Sequence, residues 1–212
     1  MRIYAAADLH GHRARFEIVA RHAERADVQA VVIAGDMVNY CWGHDILVKL
    51  AALPKPVYVV RGNTDPVRIE HTLAQSRRVH SLHLKRVHCH GLQLTGISGT
   101  LPIPFRSRIG WSEAKHLKRL AAMIGPQSVL VAHPPPWGIR DRVGGRWRAG
   151  CRSLRRLIET ASPAVVICGH IHEAAGIAWL GRTLVVNCAL GKQGQGAIIN
   201  YDGHTTPSAQ ML

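Results

Sequence analysis

The chain has 212 residues, 47% of them hydrophobic, and a formal net charge of +14 from 27 Lys and Arg against 13 Asp and Glu. This length predicts a single domain spanning residues 1–212, and the composition excludes a disordered chain. No apolar stretch approaches the roughly 20 residues of a membrane span, and polar residues interrupt the N-terminal apolar run too early for a signal sequence. We therefore expect neither membrane association nor export.

Five cysteines are spread along the chain without a CxxC pair. This pattern favours free thiols in a reducing compartment, so we predict a cytoplasmic protein. The excess of basic residues would attract phosphorylated ligands and allows nucleic-acid binding. A solvated basic surface without such a partner is the alternative, because no basic run is interleaved with regularly spaced aromatic residues. The sequence does not indicate the oligomeric state.

Hydrophobic patterning predicts buried strands alternating with amphipathic helices in the first half of the chain. The expected strands lie at residues 2–7, 28–34 and 57–60, and the expected helices at 12–25 and 45–53, with a short helix from Pro66. The pattern then changes to alternation at 79–98 with Gly91 at a turn, which predicts an antiparallel hairpin. Residues 99–110 are predicted to form a loop.

The second half is predicted to combine helices, strands and one long loop. The elements are a helix from 112 to about 124, a strand at 128–132, a loop at 134–150, a helix at 151–160, a strand at 164–168 and two or three strands between 174 and 200. Loops of such length in compact domains are often functional. The whole pattern predicts an α/β fold in which a mixed sheet or two packed sheets are flanked by helices.

Side chains that can bind metals follow the predicted core strands. They are Asp8, His10, Asp36, Asn63, His133, His170 and His172. Because ligands bind at the carboxyl ends of strands in open α/β sheets, these side chains should converge. For His170 and His172 we expect a common orientation, because side chains alternate with period two along a strand.

The donor set predicts two metal ions rather than one. Carboxylate, imidazole and amide oxygen without a thiolate suit manganese, iron or zinc as divalent or trivalent ions, and the metal identity stays open. Seven protein ligands are too many for one open catalytic ion, whereas two ions can share a carboxylate, with Asp36 as the natural bridge. Taken singly, Asp8, Asp36 and Asn63 are also ordinary helix caps or turn residues.

Five ordered motifs carry a resemblance to a known family. They are Asp8-Leu9-His10, Gly35-Asp36, Gly62-Asn63-Thr64-Asp65, His133-Pro134 and Gly169-His170-Ile171-His172. In this order they closely resemble the calcineurin-like metallophosphoesterase superfamily, which implies two packed β-sheets flanked by helices, an αββα sandwich. The resemblance implies one ion held by Asp8, His10, Asp36 and His172, and another held by Asp36, Asn63, His133 and His170.

A narrower resemblance links the chain to small phosphodiesterase-type members of the superfamily. It is carried by Pro135-Pro136-Trp137-Gly138, Asp141, Gly150-Cys151 and Gly169-His170-Ile171-His172-Glu173-Ala174. It implies hydrolysis of phosphodiester bonds, with cyclic nucleotides or other phosphodiesters as possible substrates. Two ions would supply a metal-bridging hydroxide for this reaction. A phosphomonoesterase or protein phosphatase with the same metal site is the near alternative. A non-catalytic metal-binding scaffold is the alternative from another class.

Within this resemblance Asn63 and His133 are expected to be catalytic. Asn63, Arg140 and Arg142 are predicted substrate contacts, with Arg146 as a further candidate, because an arginine can clamp a phosphoryl oxygen through two hydrogen bonds. A solvated surface position is the alternative for each of these arginines. Trp137 and Trp147 either stack on a base or pack the long loop.

One motif position departs from the family pattern. Many members have a histidine directly after the motif asparagine as a candidate general acid, and this chain has Thr64. A threonine hydroxyl is too weak an acid for that task, so we predict a preference for substrates with a low-pKa leaving group, such as aryl phosphoesters. His12, His44 and His71 are possible substitutes, although each is also an ordinary surface histidine.

Overall fold

The computed structural model of the chain describes residues 1–40, 42, 43, 45–103, 106–191 and 193–212. In the first half the elements are β1 (Arg2–Ala6), α1 (Arg13–Ala23), β2 (Ala30–Ala34), α2 (Asp45–Ala51), β3 (Val57–Val60), α3 (Ile69–Ala74), β4 (Val79–Ser81), β5 (Arg86–Cys89), β6 (Leu92–Ile97), β7 (Leu101–Ile103) and β8 (Arg106–Arg108). In the second half they are α4 (Glu113–Ala121), β9 (Val129–Ala132), β10 (Arg142–Val143), β11 (Trp147–Arg148), α5 (Arg152–Ala161), β12 (Val165–Cys168), a 3₁₀ turn (His172–Ala174), β13 (Gly176–Leu180), β14 (Thr183–Asn187), β15 (Ala197–Asn200) and β16 (Ser208–Met211).

Two six-stranded mixed sheets form the centre of the fold. The strand order is β16-β15-β1-β2-β3-β4 in the first sheet and β13-β14-β12-β9-β6-β5 in the second. The strands from β1 to β4 are parallel, and so are β6, β9, β12 and β14. Antiparallel strands complete the edges of both sheets. The parallel strands within each sheet therefore end at the same side of it.

The inner faces of the two sheets pack together, and their outer faces are covered by helices. Ile3 and Ala5 of β1 belong to the same buried core as Val131 of β9, across the interface between the sheets. Tyr4 lies on the opposite face of β1 and packs in a cluster with Val19 of α1. A third cluster joins the second sheet to α4 and α5. Strands buried on both faces explain the continuous apolar runs, and the predicted αββα sandwich is confirmed.

The structure differs from the predicted secondary structure in several short strands, whose sequences have no clear alternation of apolar and polar residues. Residues 79–98 do not form one hairpin, because β4 pairs in parallel with β3 and only β5 and β6 form the antiparallel pair. Both regions predicted as loops contain a small antiparallel ribbon, β7 with β8 and β10 with β11. The edge strand β16 was not predicted from the sequence. Such short strands are specified by their partners rather than by local pattern.

None of the described helices has the length and apolarity needed to cross a membrane. Four described cysteines, Cys89, Cys151, Cys168 and Cys188, are buried free thiols, as predicted. The fifth, Cys41, lies outside the described residues.

Candidate metal centre

The strand ends that carry the predicted ligands meet across the two sheets. Nδ1 of His133, directly after β9, lies 2.7 Å from the carbonyl oxygen of Ala34 at the end of β2. The backbone N–H of His170, beyond β12, donates to Oδ2 of Asp8, beyond β1, at 2.9 Å. The convergence expected at the carboxyl ends of the strands is therefore observed, and both sheets contribute candidate ligands.

Tight turns, rather than strand geometry, orient these side chains. Asp8, His10, Asp36 and His170 have φ values of 65°, 51°, 52° and 72°, in the left-handed region that residues other than glycine seldom adopt. β12 ends at Cys168, so His170 lies in a turn and His172 begins the 3₁₀ turn. The alternation of strand residues that we expected to align the two histidines does not apply to them.

The first cluster of donor atoms consists of Asp8, His10 and His172, whose candidate ligand atoms all lie within 4.8 Å of one another. Nε2 of His172 is 3.1 Å from Oδ1 of Asp8 and 3.4 Å from Nε2 of His10. Two imidazole nitrogens and one carboxylate oxygen thus face a common point.

The second cluster consists of Asp8, Asp36 and His133, again within 4.8 Å. Nε2 of His133 is 3.4 Å from Oδ2 of Asp36 and 3.1 Å from Oδ1 of Asn63. The ring of His170 packs edge-on against His133 with the centroids 5.0 Å apart, although His170 belongs to neither compact cluster. Oδ2 of Asp36 also lies 3.8 Å from Nε2 of His10, so this carboxylate of the second cluster faces a histidine of the first, and Asp8 belongs to both clusters.

Burial and neighbouring charges shift the pKa values of the ionisable side chains in the centre. Burial alone would raise the pKa of the Asp36 carboxyl, but the neighbouring His133 holds this pKa below its usual range. Burial alone would lower the pKa of His133, yet the carboxylates of Asp36 and Asp8 raise it. Burial, and next the nearby His133, lower the pKa of His170 to about 4, which keeps that imidazole neutral at pH 7, the form that binds metals.

A buried carboxylate oxygen provides a direct test of whether a metal fits. Oδ1 of Asp8 is shielded from solvent and accepts no hydrogen bond of normal geometry from the part of the chain that the structure describes. Leaving such an oxygen without a partner is costly, whereas a metal ion would satisfy it. Three imidazole Nε2 atoms surround this oxygen at 3.1, 3.8 and 3.9 Å, from His172, His10 and His133. The donor set therefore fits metal binding.

Thr64, at the position where the family pattern often has histidine, is buried and supports His10. Its hydroxyl donates to the carbonyl oxygen of Val38 at 2.7 Å and lies 3.3 Å from Nδ1 of His10. Since the hydroxyl proton is used by Val38, the oxygen is available to accept from Nδ1–H. This arrangement favours the His10 tautomer whose Nε2 is unprotonated and faces the first cluster.

The variant Thr64→Val should bind metal about 10- to 100-fold more weakly at the site that contains His10, because loss of a partner that orients a ligand has effects of this size. Competition with a chelating dye would measure the affinity. Thr64→Ser, which keeps the hydroxyl, is the matched control and should bind like wild type. Equal affinities in all three proteins would show that Thr64 does not orient His10.

Two buried residues that support the centre received no role from the sequence. The carboxylate of Asp65 accepts from the backbone N–H groups of Val38 and Gly62, both at 2.9 Å, and so joins the loops that carry Asp36 and Asn63. The amide of Asn187 donates to the carbonyl oxygen of Ile171 at 3.0 Å, between the two motif histidines. Asp65 is part of the motif Gly62-Asn63-Thr64-Asp65 and could have been found there. Asn187 lies outside all five motifs, so nothing in the sequence around it indicated a role.

The predicted substrate arginines lie beside the centre rather than in it. Arg140 and Arg142 line a cavity of about 500 Å³ together with Arg148 and Glu173. Nε of Arg140 donates to the carbonyl oxygen of Ile177 at 3.0 Å. Nη1 of Arg142 donates to the carbonyl oxygen of Gly145, also at 3.0 Å. Their contact with substrate stays a prediction.

The remaining residues of the long loop mainly hold its shape. Asp141 accepts from the backbone N–H of Gly138 at 2.7 Å and from the guanidinium of Arg148 at 2.9 Å. The ring of Trp137 packs under the guanidinium of Arg152, 4.2 Å from the ring centroid, which agrees with a packing role. Arg146 is exposed at the turn of the β10–β11 ribbon.

Of the histidines considered as substitutes for the family's general acid, two are described and both are exposed. His12 makes an edge contact with the ring of Trp42, with centroids 5.6 Å apart. His71 lies in α3. His44 lies outside the described residues. A role for any of them as general acid stays a prediction.

The sequence as a whole matches a known family. The model of the calcineurin-like phosphoesterase superfamily domain matches residues 1–197. The chain belongs to this superfamily. It is therefore a metal-dependent hydrolase of phosphoric esters, and the resemblance carried by the five motifs is confirmed.

This phosphoesterase has relatives across most of its length. It is 28% identical over 196 residues to the uncharacterized protein MJ1162 of Methanocaldococcus jannaschii, a match that covers 88% of this chain and 87% of that protein. The structure of TT1561 of Thermus thermophilus matches with a TM-score of 0.71 at 16% identity. The match covers 99% of this chain and 98% of the TT1561 chain. The structure of a novel archaeal phosphodiesterase has a TM-score of 0.58 at 15% identity and covers 100% of both chains. The phosphoesterase shares its fold with both structures.

Proposed function

We propose that this phosphoesterase hydrolyses phosphodiesters with two metal ions. The observation that carries the proposal is the position of Asp36, whose Oδ2 faces His10 at 3.8 Å and His133 at 3.4 Å. A carboxylate between two groups of imidazoles suits a bridge between two ions. We assign one ion to Asp8, His10, Asp36 and His172, and the other to Asp36, Asn63, His133 and His170.

Manganese, iron or zinc is the proposed occupant, because the donors are carboxylate, imidazole and amide oxygen without thiolate. When bound, such ions supply an activated water and stabilise the charge that develops on the phosphoryl group. The protein contributes rigid ligands: Asp8, Asp36 and His133 are almost fully buried. Fixed ligands of this kind are what a preorganised site requires.

The chain's own polar groups support an assignment of roles around the phosphate. Oδ1 of Asn63 lies 3.1 Å from Nε2 of His133, so the amide nitrogen is a donor suited to orienting a phosphoryl oxygen. Arg140 and Arg142 are proposed as further contacts through their neighbouring cavity, which Glu173 connects to the His172 turn. Asn63, as the donor to the phosphate, and His133, as its neighbour and a proposed ligand of the second ion, are the proposed catalytic residues.

The position of Thr64 supports a preference for good leaving groups. Hydrolysis breaks the bond between phosphorus and the leaving oxygen, joins a water oxygen to phosphorus, and leaves one water proton for the leaving oxygen or solvent. The Thr64 hydroxyl donates to Val38 at 2.7 Å, so it does not supply a proton to the leaving oxygen. Groups that depart as stable anions, such as aryl oxides, should therefore react fastest.

The decisive experiment compares two esters of one leaving group on protein reconstituted with manganese, iron or zinc. We expect metal-dependent release of p-nitrophenolate, with a higher kcat/KM for ethyl p-nitrophenyl phosphate than for p-nitrophenyl phosphate. A higher value for the monoester would favour a phosphomonoesterase or protein phosphatase. Binding of two ions without hydrolysis of either ester would favour a non-catalytic scaffold.

We also propose that residues 1–212 form one domain and that the protein is cytoplasmic. The first proposal is supported by β16, which lies near the end of the chain and pairs with β15 in the first sheet. The second is supported by the four buried free thiols, which suit a reducing compartment.

A further inference from the structure

A groove of about 470 Å³ lies beside Asn63. Its lining includes Tyr40, Val67, Thr100 and Trp111, so segments distant in sequence meet there. Because Asn63 is one of the proposed metal ligands, the groove borders the candidate metal centre at this residue. We call it the aromatic groove.

Large apolar side chains of the aromatic groove are unusually exposed. Trp111 is 84% exposed, Val67 68% and Tyr40 55%. Apolar side chains that cluster on the surface around a concave site are typical of ligand binding, whereas scattered ones need no explanation. These side chains are positioned to be covered when a ligand occupies the groove.

The groove is attached to the loops of the metal centre. The backbone N–H of Tyr40 donates to the carbonyl oxygen of Thr64 at 2.8 Å, and the N–H of Gly99 donates to that of Arg61 at 2.7 Å. Tyr40 has a φ of 37°, in the region that residues other than glycine seldom adopt. On the Trp111 side, the N–H of Ile109 donates to the carboxylate of Glu113 at 3.0 Å. These hydrogen bonds fix the backbone on both sides of the groove relative to the loop that carries Asn63.

A phosphodiester has two organic substituents, and only one leaves in hydrolysis. If the phosphate lies at Asn63, a flat ring on the retained substituent could stack on Tyr40 and Trp111 and cover them. Every nucleobase has a π-face that can stack on an aromatic side chain in this way. Arg61 and Thr100 also line the groove, but Nη1 of Arg61 donates to the carbonyl oxygen of Asp65 at 3.2 Å and the Thr100 hydroxyl donates to that of Gly99 at 2.8 Å. Stacking on the rings is therefore the main interaction that the groove offers a base. The net charge of +14 attracts the anionic ligand.

We propose that the aromatic groove binds the nucleobase of a nucleoside phosphodiester whose phosphate lies at the metal centre. This inference rests on the proposed phosphodiesterase function and names its substrate class. Tyr40 and Trp111 are the residues that determine specificity, through contact with the base.

The test uses p-nitrophenyl esters that differ only in the retained substituent. Wild type should hydrolyse thymidine 5′-(p-nitrophenyl phosphate) with a kcat/KM at least about tenfold above that of ethyl p-nitrophenyl phosphate, given the usual strength of base stacking. Trp111→Ala should lower the value for the thymidine ester about 5- to 30-fold and leave the ethyl ester within about twofold. Trp111→Phe should retain most of the preference. Trp179→Ala removes an exposed tryptophan outside the groove and should change neither rate.

Equal rates for the thymidine and ethyl esters, or a preference that Trp111→Ala leaves intact, would overturn the inference while the phosphodiesterase function stands. A phenyl ester as good as the thymidine ester would also overturn it, because the groove would then accept any aryl group.

A binding measurement separates this inference from the catalytic proposal. Calorimetry on metal-loaded protein should show tighter binding of thymidine 5′-monophosphate than of ethyl phosphate, and Trp111→Ala should abolish the difference. Equal binding of both monoesters by wild type would overturn the groove assignment. Base-dependent binding without hydrolysis of any ester would overturn the phosphodiesterase function, and with it the assignment of the ligand as a substrate.

Discussion

Replacing Asp36 with asparagine is expected to remove both ions and to lower phosphodiester hydrolysis by about 10³-fold or more. Metal charge stabilisation is worth several kcal/mol, and about 1.4 kcal/mol corresponds to a tenfold change in rate. Oδ2 of Asp36 lies within 3.8 Å of Nε2 in both His10 and His133, so each proposed ion depends on this carboxylate. Metal analysis after gel filtration, together with kcat/KM for ethyl p-nitrophenyl phosphate, would measure both effects.

Asp36→Asn is a conservative test, because the amide oxygen can still accept from the backbone N–H of Thr64, as Oδ1 does at 2.8 Å. Asp45→Asn is the matched control, since Asp45 is an exposed carboxylate that pairs with Lys49 on α2. Thermal unfolding of the metal-free proteins would verify that both variants fold. An Asp36→Asn protein that keeps two ions at wild-type affinity would refute the bridging role.

His170→Ala and His172→Ala are expected to lose different ions. His172 belongs to the cluster of Asp8 and His10, and its Nε2 lies 3.1 Å from Oδ1 of Asp8. His170 instead packs against His133, with ring centroids 5.0 Å apart. Each variant should therefore bind about one ion tightly where wild type binds two. Each should also lose at least about 10²-fold in activity, since removing a ligand should cost no less than removing a residue that only orients one.

The two variants are distinguished by combining them with Thr64→Val. Thr64 lies beside His10, so Thr64→Val should weaken the ion that His170→Ala retains and have little effect on the ion that His172→Ala retains. Metal titration monitored by calorimetry would give stoichiometry and affinity for each protein. Parallel loss of both ions in both histidine variants would contradict the assignment of the histidines to separate sites.

The convergence of the candidate ligands is an example of what the sequence can predict. Asp8, Asp36, Asn63 and His133 each follow an apolar run that is long enough to be recognised as a buried strand. Parallel strands end at the same side of a sheet, so their following residues approach one another whatever the details of the loops. For this reason the convergence of the candidate ligands followed from local pattern. The αββα sandwich was implied by the resemblance that the ordered motifs carry, since the pattern alone left a mixed sheet or two packed sheets open.

The orientation of His170 and His172 was not predictable in the same way. We expected strand alternation to give the two side chains a common orientation. This basis was wrong, because both residues lie in turns beyond the end of β12. The left-handed φ of 72° at His170 is compatible with its hydrogen bond to Asp8, a residue 162 positions earlier in the chain. A conformation that depends on such a distant partner leaves no periodic signal in the sequence around it.

The superfamily, the layered α/β fold and the candidate metal ligands could be predicted without a structure, because they depend on apolar periodicity and on residue types at fixed motif positions. The contact between Thr64 and His10, and the groove that Tyr40 and Trp111 line with Asn63, are visible only in the tertiary structure. Those arrangements arise from contacts between segments far apart in the chain. Their geometry is set by how the two sheets and their loops pack, which local pattern does not encode.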